Sequence, residues 1–101
     1  MIFMLTVWSP LNKGKEAMDA YAKALEKGVP KSIRKWQIFT VADGINGIKS
    51  YELIYTEKGQ ADEALVAIHR SLALAAGIEG YSFKIEPLLG MKDLLSLLPS
   101  S

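Results

Sequence analysis

Residues 33–56 read IRKWQIFTVADGINGIKSYELIYT, and this stretch decides the fold. Two runs rich in β-branched and aromatic residues, Ile33 to Ala42 and Ile48 to Thr56, flank Asp43-Gly44 and Asn46-Gly47. Asp-Gly and Asn-Gly mark hairpins, because the favoured tight turns need a positive φ at their central residues. The spacing predicts two antiparallel strands joined by a short loop.

On either side of this hairpin the hydrophobic period changes to that of a helix. Between Lys15 and Lys27, residues Ala17, Met18, Tyr21, Ala24 and Leu25 form one stripe, and Lys15, Glu16, Asp19, Lys23, Glu26 and Lys27 form the other. Gly28 and Pro30 close that helix. Between Gln60 and Ala76, the inward stripe is Ala61, Ala64, Leu65, Ile68, Leu72 and Ala75, with Gly77 expected in the left-handed cap position. Val66, Ala73 and Leu74 lie off that stripe and need another cover. Ile2 to Trp8, IFMLTVW, is apolar on both faces and reads as a central strand. Tyr81 to Glu86 reads as an edge strand stopped by Pro87.

The order is therefore β-α-β-β-α-β, the ferredoxin-like split βαβ pattern. It predicts an α+β fold with a four-stranded antiparallel sheet and two helices on one face. A single domain over 1–101 is expected, with a short helical tail at about 91–98. Seven Leu or Met residues stand between positions 88 and 98, too many to leave in water, so the tail should cover this subunit or a partner.

Composition narrows the function classes. The chain has 101 residues, half of them apolar, enough for one core. Net charge is +1, which argues against an electrostatic grip on nucleic acid. Seven of the Lys and Arg residues fall in 13–35 against three acids, a weakly basic side around the first helix. There is no cysteine, so disulfides and thiolate chemistry are absent. The first strand begins at Ile2 with no charged leader before it, and no apolar run approaches the ~20 residues of a membrane span. A cytoplasmic protein with no membrane partner is expected.

Side chains alternate across a strand, which allows the sheet faces to be assigned. Phe3, Leu5 and Val7 suit the helix side, as do Tyr81, Phe83 and Ile85. Met4, Thr6 and Trp8 fall on the open side. Glu52 beneath a helix would need a partner for its charge. It is therefore expected on the open side with Ser50 and Ile54, leaving Tyr51, Leu53 and Tyr55 under the helices. An even hairpin loop would add Lys35, Gln37, Phe39 and Val41 to that open face; an odd loop or a bulge would reverse the pairing. The resulting mixed face is too apolar for water and too polar for a plain core. Two such faces packed together would make a homodimer enclosing a partly polar space.

Chemistry-bearing motifs are few. One His and no Cys leave nothing with zinc-site spacing. His69, between Ile68 and Arg70, reads as a boundary histidine packed by its ring. No phosphate-binding loop is present, and GIKSYELIY lacks the basic-Gly-aromatic opening of an RNA-recognition strand. Trp8, Trp36 and the tyrosines could stack on a ligand. Glu52 is the most pointed residue: a carboxylate facing an enclosed, partly apolar space has a raised pKa and can act as a base, unless Lys84 or Lys35 pairs with it. The expected ligand-binding set is Thr6, Trp8, Gln37, Glu52 and Lys84, with Glu52 as the catalytic candidate and no metal or cofactor.

The opening IFMLTVW, the hairpin DGINGIKSYELIY and the closing YSFKIEPLL with its leucine-rich tail resemble short uncharacterised proteins of the dimeric α+β barrel class. The resemblance spans nearly the full length, and its motifs are structural. It implies an obligate dimer with a pocket inside each sheet. The class includes cofactor-independent monooxygenases, isomerases of ring lactones and ligand-sensing modules, with no catalytic set common to all. Its oxygenase-like members use His, Asn or Trp in the pocket, whereas the one His here is expected on a helix. The leading expectation is a dimeric module for a small, partly apolar ligand or a protein partner. The alternatives are a small cofactor-independent enzyme using Glu52 or a tyrosine as base, and an RNA-binding domain.

Overall fold

The hairpin forms as β2 (Ile33–Ala42) and β3 (Ile48–Thr56), and the connection between them, Asp43 to Gly47, is odd in length. A single 3-10 turn, Gly44–Asn46, fills it, and the Asp43 amide donates to the Gly47 carbonyl at 2.7 Å. The other elements are β1 (Ile2–Ser9), α1 (Gly14–Ala24), α2 (Ala61–Ala73), β4 (Ser82–Leu88) and α3 (Met91–Leu97). The computed structural model describes residues 1–99, so the last two positions of the expected 1–101 domain lie outside the described residues.

The four strands make one antiparallel sheet in the order β2-β3-β1-β4. β1 and β2 run parallel to each other with β3 between them, and β3 and β4 run parallel with β1 between them. The expected central place of β1 and edge place of β4 are both seen. β4 runs through Pro87 to Leu88, and Tyr81 sits just before it.

The core lies between the sheet and α2. Phe3, Leu5 and Val7 of β1 and Ile54 of β3 pack against Ala64, Ile68 and Leu72. α1 covers the same side more loosely and has no buried residue. Its inward positions Ala17, Ala20 and Ala24 are too short to fill the space above the sheet, and only Tyr21 and Leu25 reach into it. Met18, expected in the inward stripe, is 66% exposed. Met18→Glu should therefore change stability by less than ~0.5 kcal/mol; a loss above ~1 kcal/mol on urea unfolding would return Met18 to the core. Gly77 does not adopt a positive φ; Gly80, at φ 82°, makes the turn into β4 instead.

The register corrects the faces expected of the hairpin. Five loop residues pair Val41 with Lys49, so odd positions of β2 meet odd positions of β3. β1 pairs Leu5 with Glu52 and Phe3 with Ile54. Glu52, Ser50 and Ile54 accordingly face the helices, and Ile54 is 0% exposed. Tyr51, Leu53 and Tyr55 lie on the open face with Met4, Thr6 and Trp8. Lys35, Gln37, Phe39 and Val41 stay open-facing, with an irregularity between Ile33 and Lys35 that returns Ile33 to the core.

Candidate functional site

Two features could carry function: a cleft on the helix side and the open face of the sheet.

The cleft follows from the short side chains of α1. It has two adjoining lobes, about 40 and 180 Å3, both open to solvent. Both are lined by Ala17, Tyr21, Glu52 and Tyr81. Trp36, Leu72 and Ala75 wall the inner lobe, and Ile38, Thr40 and Ser50 the outer one. The inner lobe has room for a few waters and the outer one for a single small ring, and the walls are mostly apolar.

Glu52 is the charged group on this floor, at 7% exposure on a central strand between Leu5 and Ile38. Trp36 donates its indole Nε1–H to Oε1 of Glu52 at 2.7 Å. Among the described residues this is the carboxylate's only hydrogen bond, and no Lys, Arg or His pairs with it. Burial pushes the Glu52 carboxyl above its ordinary pKa, and the Trp36 hydrogen bond partly opposes that. Burial and the nearby Glu52 charge push Tyr81 up to about 12 and raise Tyr21 as well. Both phenols therefore stay protonated at physiological pH. The site offers one acceptor under strain of desolvation, an indole, and two hydroxyls held as donors. This suits holding a donor or cationic group better than relaying protons, which needs a second group titrating near neutrality.

The expected ligand set is split between the two faces. Thr6, Trp8, Gln37 and Lys84 stand on the open face, where Thr6 and Lys84 are direct neighbours, while Glu52 lies on the other side. Neither Lys84 nor Lys35 can pair with Glu52, because the register puts both lysines on the opposite face. Lys84 instead lies 3.5 Å from Glu86. Tyr21 and Tyr81 lie outside the expected ligand set; the signal that marks Tyr21 is its place among alanines, where a helix face lacks the volume to close on the sheet. His69 is exposed on α2, with its ring edge-on to Phe83 at 6.3 Å and Nδ1 3.0 Å from the Leu65 carbonyl.

The open face has an apolar centre and a charged rim. Met4 and Leu53 are neighbours at the middle, with Tyr51 and Thr6 in the next row. Lys35 lies on edge strand β2, and Lys84 and Glu86 on edge strand β4. Lys49 lies over the rings of Tyr51 at 5.0 Å and Trp8 at 5.4 Å, and Lys35 over Tyr55 at 5.7 Å.

No cluster of metal-ligating side chains occurs among the described residues, and no helix there is long and apolar enough to cross a membrane. No protein-family model matches this chain, and no curated protein matches its sequence.

Proposed function

We propose that this chain is a small-molecule-binding module of the ferredoxin-like, dimeric α+β barrel type, with its binding site in the cleft between α1 and the sheet. The ligand is small and largely apolar, and it carries a hydrogen-bond donor or a positive charge that seats on Glu52. One observation carries this reading. Glu52 is buried on a central strand and, among the described residues, has no counter-ion and a single donor, in a cleft that a ligand can enter. An unpaired buried carboxylate is costly. A bound ammonium or amide donor would offset that cost, and Tyr21, Tyr81 and Trp36 would wrap its apolar part. The dimer is supported by the open face, whose apolar centre and charged rim have the layout of a protein interface. The absence of cysteine suits a reducing compartment such as the cytoplasm.

The test compares benzylamine, benzyl alcohol and benzoate, which share a ring and differ in the group offered to Glu52. Benzylamine should raise the melting temperature most and benzoate least. Native mass spectrometry of the purified protein should show any retained ligand. Equal or greater stabilisation by benzoate would overturn the reading.

Glu52→Gln gives a second expected outcome. The folded pKa lies above the unfolded value of ~4.3. The ionised folded form is thus disfavoured: stability is fullest below the unfolded pKa and falls as pH rises through the folded one. Glutamine keeps an oxygen for the Trp36 N–H and removes the charge. The apo variant should therefore be more stable than the parent at pH 7, by about 1 kcal/mol, and equal to it in acid. It should also lose the preference for benzylamine over benzyl alcohol. A variant less stable than the parent at pH 7 would show that the carboxylate is well solvated where it stands.

A further inference from the structure

The outer edge of β2 is an open row of hydrogen-bonding groups. The Asp43 amide donates to the Gly47 carbonyl, which makes these two a hydrogen-bonded pair of the hairpin. Such pairs alternate along an antiparallel ladder, so Val41, Phe39 and Gln37 also turn their backbone groups toward β3. The other side of β3 has the matching parity. The Thr56 amide donates to the Met1 carbonyl, so the even positions of β3 bond β1 and the odd ones bond β2. The amides and carbonyls of Trp36, Ile38, Thr40 and Ala42 therefore point out of the sheet, where no strand or turn among the described residues meets them.

Edge strands are normally guarded by charges, prolines or bulges. Residues 36–42, WQIFTVA, carry none of these. The irregularity of β2 lies before Lys35, and from Lys35 onward the register with β3 is unbroken. Ile38, Phe39 and Val41 are exposed, and Lys35 and Asp43 stand at the two ends of the stretch. A row of free donors and acceptors between β-branched and aromatic side chains fits one kind of occupant, an added strand.

We propose that this strand is β2 of a second copy, joined antiparallel about a twofold axis that passes beside Phe39, perpendicular to the sheet. Ile38 then faces the partner's Thr40 and Trp36 faces the partner's Ala42, and each of these pairs exchanges both of its backbone bonds. Phe39 meets its own counterpart across the axis, at the closely spaced position without backbone bonds. Lys35 falls directly opposite the partner's Asp43 at both ends, and neither is in an ion pair of its own chain among the described residues. Any slip that kept the backbone pairing would part Lys35 from Asp43, so these charges fix the register. That self-complementarity favours a second copy over a foreign strand. Growth stops there, because the joined sheet has β4 at both outer edges, where Pro87 offers no amide hydrogen. The contact does not rest on the open-face pairing, which uses side chains above the strands and not the edge of β2.

Hydrogen exchange followed on 15N-labelled protein reads the edge directly. At millimolar concentration the Ile38 and Thr40 amides should exchange as slowly as those of Phe39 and Val41. Dilution to the low micromolar range should release Ile38 and Thr40 and leave Phe39 and Val41 protected. Open-face pairing would leave the Ile38 and Thr40 amides in water at every concentration. Charge reversal tests the register. Lys35→Asp or Asp43→Lys alone sets like charges opposite each other at both ends, and should raise the dissociation constant about tenfold. An equimolar mixture of the two variants should return to the parent value, because opposite charges again face across the pair. A mixture no tighter than either variant alone would overturn the proposal. Free exchange at Ile38 and Thr40 in an associated protein would overturn the edge pairing and leave the open-face pairing standing. An 11.1 kDa particle at millimolar concentration would overturn both and leave the edge to a strand of another protein.

Discussion

Gly47→Ala should cost at least ~3 kcal/mol, measured as the shift in urea unfolding free energy. Gly47 sits at φ 95° and ψ −139°, a backbone region closed to other residues. A Cβ there would also meet the Ser9 carbonyl oxygen and lie 3.0 Å from the Pro10 Cα. Both neighbours are backbone and cannot swing aside. Gly59→Ala is the matched control: its φ is 76°, but nothing lies within 4 Å of the added carbon. It should cost only about 1 kcal/mol. Equal losses at the two sites would mean that the hairpin loop and the end of β1 do not touch. Gly47 is also the last residue of the odd loop, so this glycine stands at the point that decides which face each β3 side chain takes.

Trp36→Ala should cost about 3 kcal/mol at pH 7, through lost packing on the core and the loss of Glu52's one donor. Trp36→Phe keeps most of the packing and should cost about 1–2 kcal/mol. The pH dependence separates the two terms. The Glu52 pKa is already raised in the folded state, and losing the indole N–H would raise it further. The Phe variant's deficit should be largest at neutral pH, where the carboxylate is ionised. It should shrink as pH falls below the folded pKa, because a protonated carboxyl needs that donor less. An unchanged deficit from pH 7 into acid would mean that the hydrogen bond has no energetic tie to the ionised form.

Element order and type were legible because each rests on a strong local signal. The hairpin dipeptides, the two amphipathic stripes and the all-apolar first strand need no tertiary information. The face of β3 was not legible, because it depends on loop parity. Asp43 to Gly47 contains two hairpin signals, and sequence does not say how they merge into a five-residue turn. The partner of Glu52 was not legible either: a buried carboxylate suggests a cation, and the neutral indole of Trp36 serves instead. Glu52 was nevertheless marked as the unusual residue, because a carboxylate on a central strand is conspicuous whichever face it takes. The cleft itself was half visible: Ala17 and Ala24 stand in the expected inward stripe, but Ala20 does not, and no local pattern tells that α1 stays off the sheet.

The two edges of the sheet have a consequence for aggregation. β4 carries Pro87, which has no amide hydrogen to offer an incoming strand. β2, at the other edge, opens on a register irregularity flanked by Arg34 and Lys35. Bulges, prolines and charges are the features that stop sheets from adding strands side by side. These features disfavour ribbon growth at the β4 edge and at the start of β2, in a sheet that is otherwise rich in β-branched and aromatic residues. A chain with sticky faces and guarded edges can form a finite, closed particle, and concentrated solutions of it should stay free of thioflavin-positive fibres.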